Sequence, residues 1–123
     1  MLKKANRLLK KKDFDAVWQK GRSSFDKALG IKSLSTGLKL NRFGIMIGLK
    51  VSKKAVERNR IKRRIREILR AEANNLPIGF DIVIAVLPAA RTLDYQELRN
   101  SLVDNLKRLR LIGNLNSALK RRI

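Results

Sequence analysis

Residues 50–70, KVSKKAVERNRIKRRIREILR, constrain the fold of this chain more than any other stretch. Ten basic side chains, Lys50, Lys53, Lys54, Arg58, Arg60, Lys62, Arg63, Arg64, Arg66 and Arg70, are opposed only by Glu57 and Glu67, ten against two, for a local net charge of +8. Even so, Ile61, Ile65, Ile68 and Leu69 recur at i, i+4, i+7 and i+8, the spacing of one helical stripe. At about 100° per residue, Asn59, Arg63, Arg66 and Arg70 cluster on the opposite side. The spacing predicts a helix over 54–73 that docks on an apolar core and turns guanidinium groups outward. Arginine suits bidentate contact with phosphate oxygens. Surface ion pairs cannot absorb so many cations when acids are this scarce. A polyphosphate is the expected ligand. Arg58 falls near the apolar side of the wheel, and two placements stand open for it: a frayed first turn, or a contact with the following sheet. Arg63 and Glu67, at i and i+4, form at most a local helix contact.

The whole chain repeats this imbalance. Its 30 Lys and Arg against 10 Asp and Glu give +20 in 123 residues, and self-repulsion on that scale calls for a polyanionic partner. Nucleic acid and an anionic membrane are the two candidates. No apolar run approaches the roughly 18–20 residues of a membrane span. The opening MLKKANRLLKKKDF lacks the continuous apolar stretch of a signal peptide. A cytoplasmic nucleic-acid-binding protein without a membrane partner is expected.

Missing residue types narrow the chemistry. Without Cys there are no disulfides or thiolate metal sites. Without His the usual general base near neutral pH and the commonest nitrogen ligand are gone. The carboxylates are scattered, Asp13 with Asp15 and Asp94 with Glu97 being the closest pairs, and nothing resembles the cluster of a two-metal nuclease. No catalytic residue and no protein-held metal site are therefore expected.

The length suits one domain with a modest core. Residues 1–9 read as a basic, mobile arm and 114–123 as a basic, disordered tail. A short helix over 11–20 places Phe14, Val17 and Trp18 at i, i+3 and i+4, with Gly21 as its terminator. Residues 25–34 read as extended, broken near Gly30, and 35–41 as a loop in which Leu38 and Leu40 could extend a strand. A strand is expected over 42–51, with Gly44 and Gly48 marking a bulge or close backbone approach. The apolar run FDIVIAVL at 80–87 reads as a buried strand. In the last helix Asp94 and Glu97 have capping-box spacing, Leu98, Leu102, Leu106 and Leu109 form the stripe, and Gly113 ends it. This order implies a two-layer α/β sandwich, one sheet with the two longer helices mainly on one face, leaving an exposed sheet face available for a ligand.

At Arg58-Asn59-Arg60-Ile61-Lys62-Arg63-Arg64-Ile65-Arg66-Glu67 the chain resembles the protein subunit of bacterial ribonuclease P, whose hallmark is an R-N-R tripeptide opening a basic helix. The resemblance continues through Arg7-Leu8, Asp13-Phe14, Val17-Trp18 and Gly21, then Arg42-Phe43-Gly44, Phe80 to Ile84 with Pro88-Ala89, and Leu93-Asp94-Tyr95 with Leu98. It implies an α-β-β-β-α-β-α fold with a left-handed βαβ crossover. It also implies an RNA-based endonuclease, in which a catalytic RNA removes the 5′ leader of precursor tRNA using Mg²⁺ held mainly by that RNA. The protein binds the catalytic RNA and the leader, with no obligatory protein partner. By position, Arg58, Asn59, Arg60, Lys62, Arg63, Arg66 and Arg70 would lie on the RNA side, and Phe14 and Trp18 would line the leader cleft. Judged by spacing alone, Phe14 and Trp18 are more often core residues than base-stacking platforms, and it is the resemblance that brings the two readings level.

Two departures limit the carry-over. Before R-N-R the family usually reads S-K-K-x-G-x-A-V-x. Aligning Ser52-Lys53-Lys54 with S-K-K leaves the connection three residues short, whereas aligning Lys50-Val51 with its K-V requires one extra residue. Both registers stand open, so Lys50, Lys53 and Lys54 receive no role. The family also commonly carries a basic residue after the late strand, where this chain has Val86-Leu87. The competing expectation is a structural RNA-binding protein such as a ribosomal one, which explains the charge equally well. A self-sufficient metal nuclease is disfavoured by the absent His and scattered carboxylates.

Overall fold

In the computed structural model, which describes residues 4–111, the predicted apolar stripes become the inner faces of helices around a four-stranded sheet. Helix α1 spans Lys11–Lys20, strands β1, β2 and β3 span Arg22–Phe25, Leu29–Ser35 and Arg42–Met46, and helix α2 spans Ala55–Glu72. Strand β4, Phe80–Val86, and helix α3, Tyr95–Arg108, complete the order. The sheet runs β1-β2-β4-β3. Its first two pairings are antiparallel and β3–β4 is parallel. Parallel neighbours cannot be joined by a hairpin, so α2 forms the crossover between them.

Alternation along β4 divides the interior. Ile82, Ile84 and Val86 join Leu29, Ile31 and Phe43 in the main core. That core takes the stripe Ile61, Ile65, Ile68 and Leu69 of α2, the stripe Leu98, Leu102 and Leu106 of α3, and Leu109 just past the end of α3. Val83 points to the other face and meets Leu8, Val17, Phe14 and Leu34. Helices α2 and α3 thus cover one face while α1 lies on part of the other. Because β4 is buried on both sides, its sequence shows an unbroken apolar run.

Polar contacts set the ends of the elements. Asp94 accepts from the Glu97 N–H at 2.8 Å and the Glu97 carboxylate accepts from the Asp94 N–H at 3.2 Å, a complete capping box for α3. The β1–β2 turn is made by Asp26, whose Oδ1 accepts the N–H groups of Ala28 and Leu29, both at 2.8 Å. The strand break therefore falls at 26–28, and Gly30 is inside β2, where its missing side chain leaves room for the Phe25 ring. Gly21 ends α1 with an extended backbone, not a left-handed one. A Cβ there would strike the Val17 carbonyl, so close packing requires the glycine. Strand β3 stops at Met46, before the expected 51, because the chain turns at 48–51, with the Val51 N–H donating to the Gly48 carbonyl at 3.1 Å.

Residues 4–9 are built into the fold, where a free arm was expected. Leu8 is 3% exposed and its N–H donates to the Phe43 carbonyl at 2.8 Å. Asn6 donates to the Asn41 carbonyl at 2.8 Å. The physical reason is the Leu8 side chain, which fills the smaller core beside Val17 and Val83. Helix α3 ends at Arg108, short of the expected Gly113, because the chain turns at Leu109; Gly113 and the predicted tail at 114–123 lie outside the described residues.

Candidate nucleic-acid interface

The sequence of α2 separates its two sides by charge, and the fold leaves that separation intact. Asn59, Arg63, Arg66 and Arg70, with Glu67, line a shallow groove of about 300 Å³ along the outer side of the helix. Arg60 stands exposed near them, and Lys62 is half-buried. Among the described residues no salt bridge engages a cation of 58–70, and Arg63 forms none with Glu67. The other acids of the helix are occupied from outside it. Glu57 takes Arg91 at 3.4 Å, and the buried Glu72 takes Arg99 at 3.0 Å. The Ser52 hydroxyl, donating to Glu57 at 3.1 Å, and the nearby Arg91 hold the Glu57 carboxyl below its usual range. The groove's cations therefore keep their field.

Arg58 is the exception among the predicted residues. Its guanidinium turns back and donates to the Ser52 carbonyl at 2.8 Å, tying the preceding loop to the first turn of α2. Its place near the apolar side of the wheel produces this direction. The structure brings Asn59, Arg63, Arg66 and Arg70 together and sets Arg58 apart.

A second surface lies across the sheet. Leu9, Lys11, Phe14, Asp15, Trp18 and Met46 line an open cleft of about 410 Å³ between α1 and the β3 edge. Phe14 packs partly into the smaller core, over Gly44, while Trp18 is 41% exposed. Both predicted aromatics reach one cleft, Phe14 as its half-buried wall and Trp18 as its open plate. Lys32 of β2 lies 4.2 Å from the Trp18 ring centre. Sequence reasoning missed Lys32 and Met46, since neither shares a helix or a periodic pattern with the aromatics.

Among the described residues no three His, Cys, Asp or Glu side chains gather to hold a metal ion. No helix among the described residues is long and apolar enough to cross a membrane.

A two-layer α+β sandwich with an unneutralised arginine groove and an aromatic cleft across the sheet defines a basic protein suited to polyanionic chains. Comparison with known proteins agrees and goes further. The family described as Ribonuclease P matches over residues 2–110. The ribonuclease P protein component of a Cyanothece species is 42% identical, over 83% of this chain and 90% of that protein. That of Alkaliphilus metalliredigens is 33% identical, over 88% and 96%. The solved ribonuclease P protein of Staphylococcus aureus superposes with a TM-score of 0.82 at 28% identity, covering 89% of this chain and all of that one. The Thermotoga maritima protein gives 0.75 at 31%, covering 83% and 96%. The chain belongs to the ribonuclease P protein family, the protein component of an endoribonuclease of tRNA processing. A protein component of this kind has an RNA partner.

Proposed function

We propose that the outer side of α2 seats on the catalytic RNA of ribonuclease P, and that the α1 cleft receives the single-stranded 5′ leader of precursor tRNA. One observation carries this reading: Arg63, Arg66 and Arg70 share a groove in which, among the described residues, none of them forms a salt bridge, not even with Glu67 on its wall, while Glu57 and Glu72 are drawn off by Arg91 and Arg99. Guanidinium groups held this way meet phosphates without first breaking protein ion pairs. In the cleft, Trp18 offers an open ring face, and base–aromatic stacking is worth about 1–3 kcal/mol per base. The protein then supplies binding and charge, and the RNA carries the cleavage together with the Mg²⁺ it holds. Cations spread over two surfaces reduce repulsion between two RNAs, lowering the Mg²⁺ needed to bring them together.

Reconstitution with the cognate catalytic RNA at low Mg²⁺ tests this reading. Leader removal should depend on the protein, and leader affinity should fall with salt at a log–log slope of roughly −0.7 per phosphate contacted. Arg60→Ala and Arg63→Ala should weaken association with the catalytic RNA and spare the fold. Trp18→Ala should weaken substrates that carry a leader and spare mature tRNA. Normal RNA association by both arginine variants would refute the assigned face. Equal loss on mature tRNA would remove Trp18 from the leader site.

A further inference from the structure

The side of β3 turned toward α1 carries Arg42, Gly44 and Met46 at alternate positions, and each meets the helix or its cleft in a different way. Arg42 engages two carboxylates. Its Nε and one Nη donate to the two oxygens of Asp81 in β4 at 2.8 and 2.6 Å. The other Nη donates to Asp13 in the first turn of α1 at 3.4 Å. Asp81 is 4% exposed, so its pairing with Arg42 is an internal fixture and Asp13 is the outer arm. The hydrogen bonds it donates to Asp81, outweighing burial, hold the Arg42 guanidinium above its ordinary value, so it stays charged at every relevant pH. Two residues along, Gly44 leaves the space occupied by the Phe14 ring. Two further along, Met46 lines the cleft opposite Trp18. Helix α1 has no side-chain cap at its N-terminus, so the Asp13 contact ties that turn laterally to the sheet.

We propose that the Asp13–Arg42–Asp81 relay, with Gly44 beneath Phe14, is the positioning device of the cleft. It sets how far α1 stands from β3, and hence the width of the slot between Trp18 and Met46. The functional consequence rests on the cleft being the leader site; the geometric one does not.

Asp13→Asn separates the two. It discharges the α1 arm and leaves the Arg42–Asp81 pair in place, so the domain folds. Trp18 is the only tryptophan in the chain, and its emission reports on the cleft without any RNA. Acrylamide quenching of Trp18 should rise in Asp13→Asn. Affinity for precursor tRNA in the holoenzyme should fall about three- to ten-fold, with mature tRNA unaffected, and Asp13→Glu should restore both readouts. Unchanged quenching and wild-type leader affinity in Asp13→Asn would overturn the proposal, as would an Asp13→Glu variant no better than Asp13→Asn. If Trp18→Ala leaves leader binding intact, the leader reading fails, and quenching alone then decides whether the relay positions α1.

Discussion

The Lys32 ammonium lies 4.2 Å from the centre of the Trp18 ring and donates a 2.7 Å hydrogen bond to the Trp18 carbonyl. One residue of β2 thus holds both the backbone and the ring at the end of α1, where a cation also favours the helix dipole. With one indole face taken by the ammonium, stacking is left to the other. Replacing Lys32 by Met should free the ring, at a cost of about 0.5–1 kcal/mol. Leader affinity measured by fluorescence anisotropy should fall about two- to five-fold. An unchanged affinity would mean that the indole needs no support from β2.

Arg58 and Arg63 stand five residues apart in one motif and should respond differently. Arg58→Ala removes the bond to the Ser52 carbonyl and should lower stability by about 1–2 kcal/mol in a urea titration. Arg63→Ala touches no protein partner and should stay within about 0.5 kcal/mol of wild type, while weakening association with the catalytic RNA. A reversed ranking would exchange their roles.

Asp26 links the β1–β2 turn to α3. Its Oδ2 accepts from the Ser101 hydroxyl at 2.6 Å and from the fully buried Asn105 amide at 3.1 Å. Burial acts to raise its pKa, but the hydrogen bonds from Ser101, the Leu29 and Ala28 N–H groups and Asn105 outweigh it, holding the value below the ordinary 3.8. A carboxyl depressed in the folded state stabilises above its unfolded pKa, and that contribution is lost as pH falls through the folded value. Thermal melts should therefore show Asp26→Asn below wild type from pH 5 to 7, with the gap narrowing below about pH 4. A gap constant down to pH 2 would show that the charge contributes nothing.

Gly44 and Gly48 should respond oppositely to alanine. A methyl group at Gly44 meets the Phe14 ring, so Gly44→Ala should cost about 1–3 kcal/mol by overpacking. At Gly48 nothing lies within 4 Å, so Gly48→Ala should be neutral or stabilise by up to about 1 kcal/mol through the unfolded state. Denaturation midpoints of the two variants check the contrast.

Features visible in the sequence share one property: they repeat within a single element. The α2 stripe, the α3 leucines, the Asp94–Glu97 box and the apolar run of β4 each arise from neighbours a few residues apart, where backbone geometry alone brings side chains to a common face. The groove of Asn59, Arg63, Arg66 and Arg70 follows from that rule. The site residues missed lie across elements. Lys32 reaches Trp18 only because β2 runs under α1, and Arg42 reaches Asp81 only because β3 and β4 are parallel neighbours. The packed segment at 4–9 escaped notice because the adjacent Leu8 and Leu9 in a basic stretch show no period, and only Leu8 is buried.

By itself the amino-acid sequence determined which residues share a helical or strand face, where α3 begins, and that an arginine row would oppose an apolar stripe in α2. Local geometry and the cost of burying charge leave no other arrangement. Tertiary structure alone decided which acids would be drawn away from that row, which way Arg58 would turn, and how wide the cleft beside Trp18 would stand. Those outcomes depend on distances between segments far apart in the chain, and such distances are set when the sheet assembles and its two faces are covered.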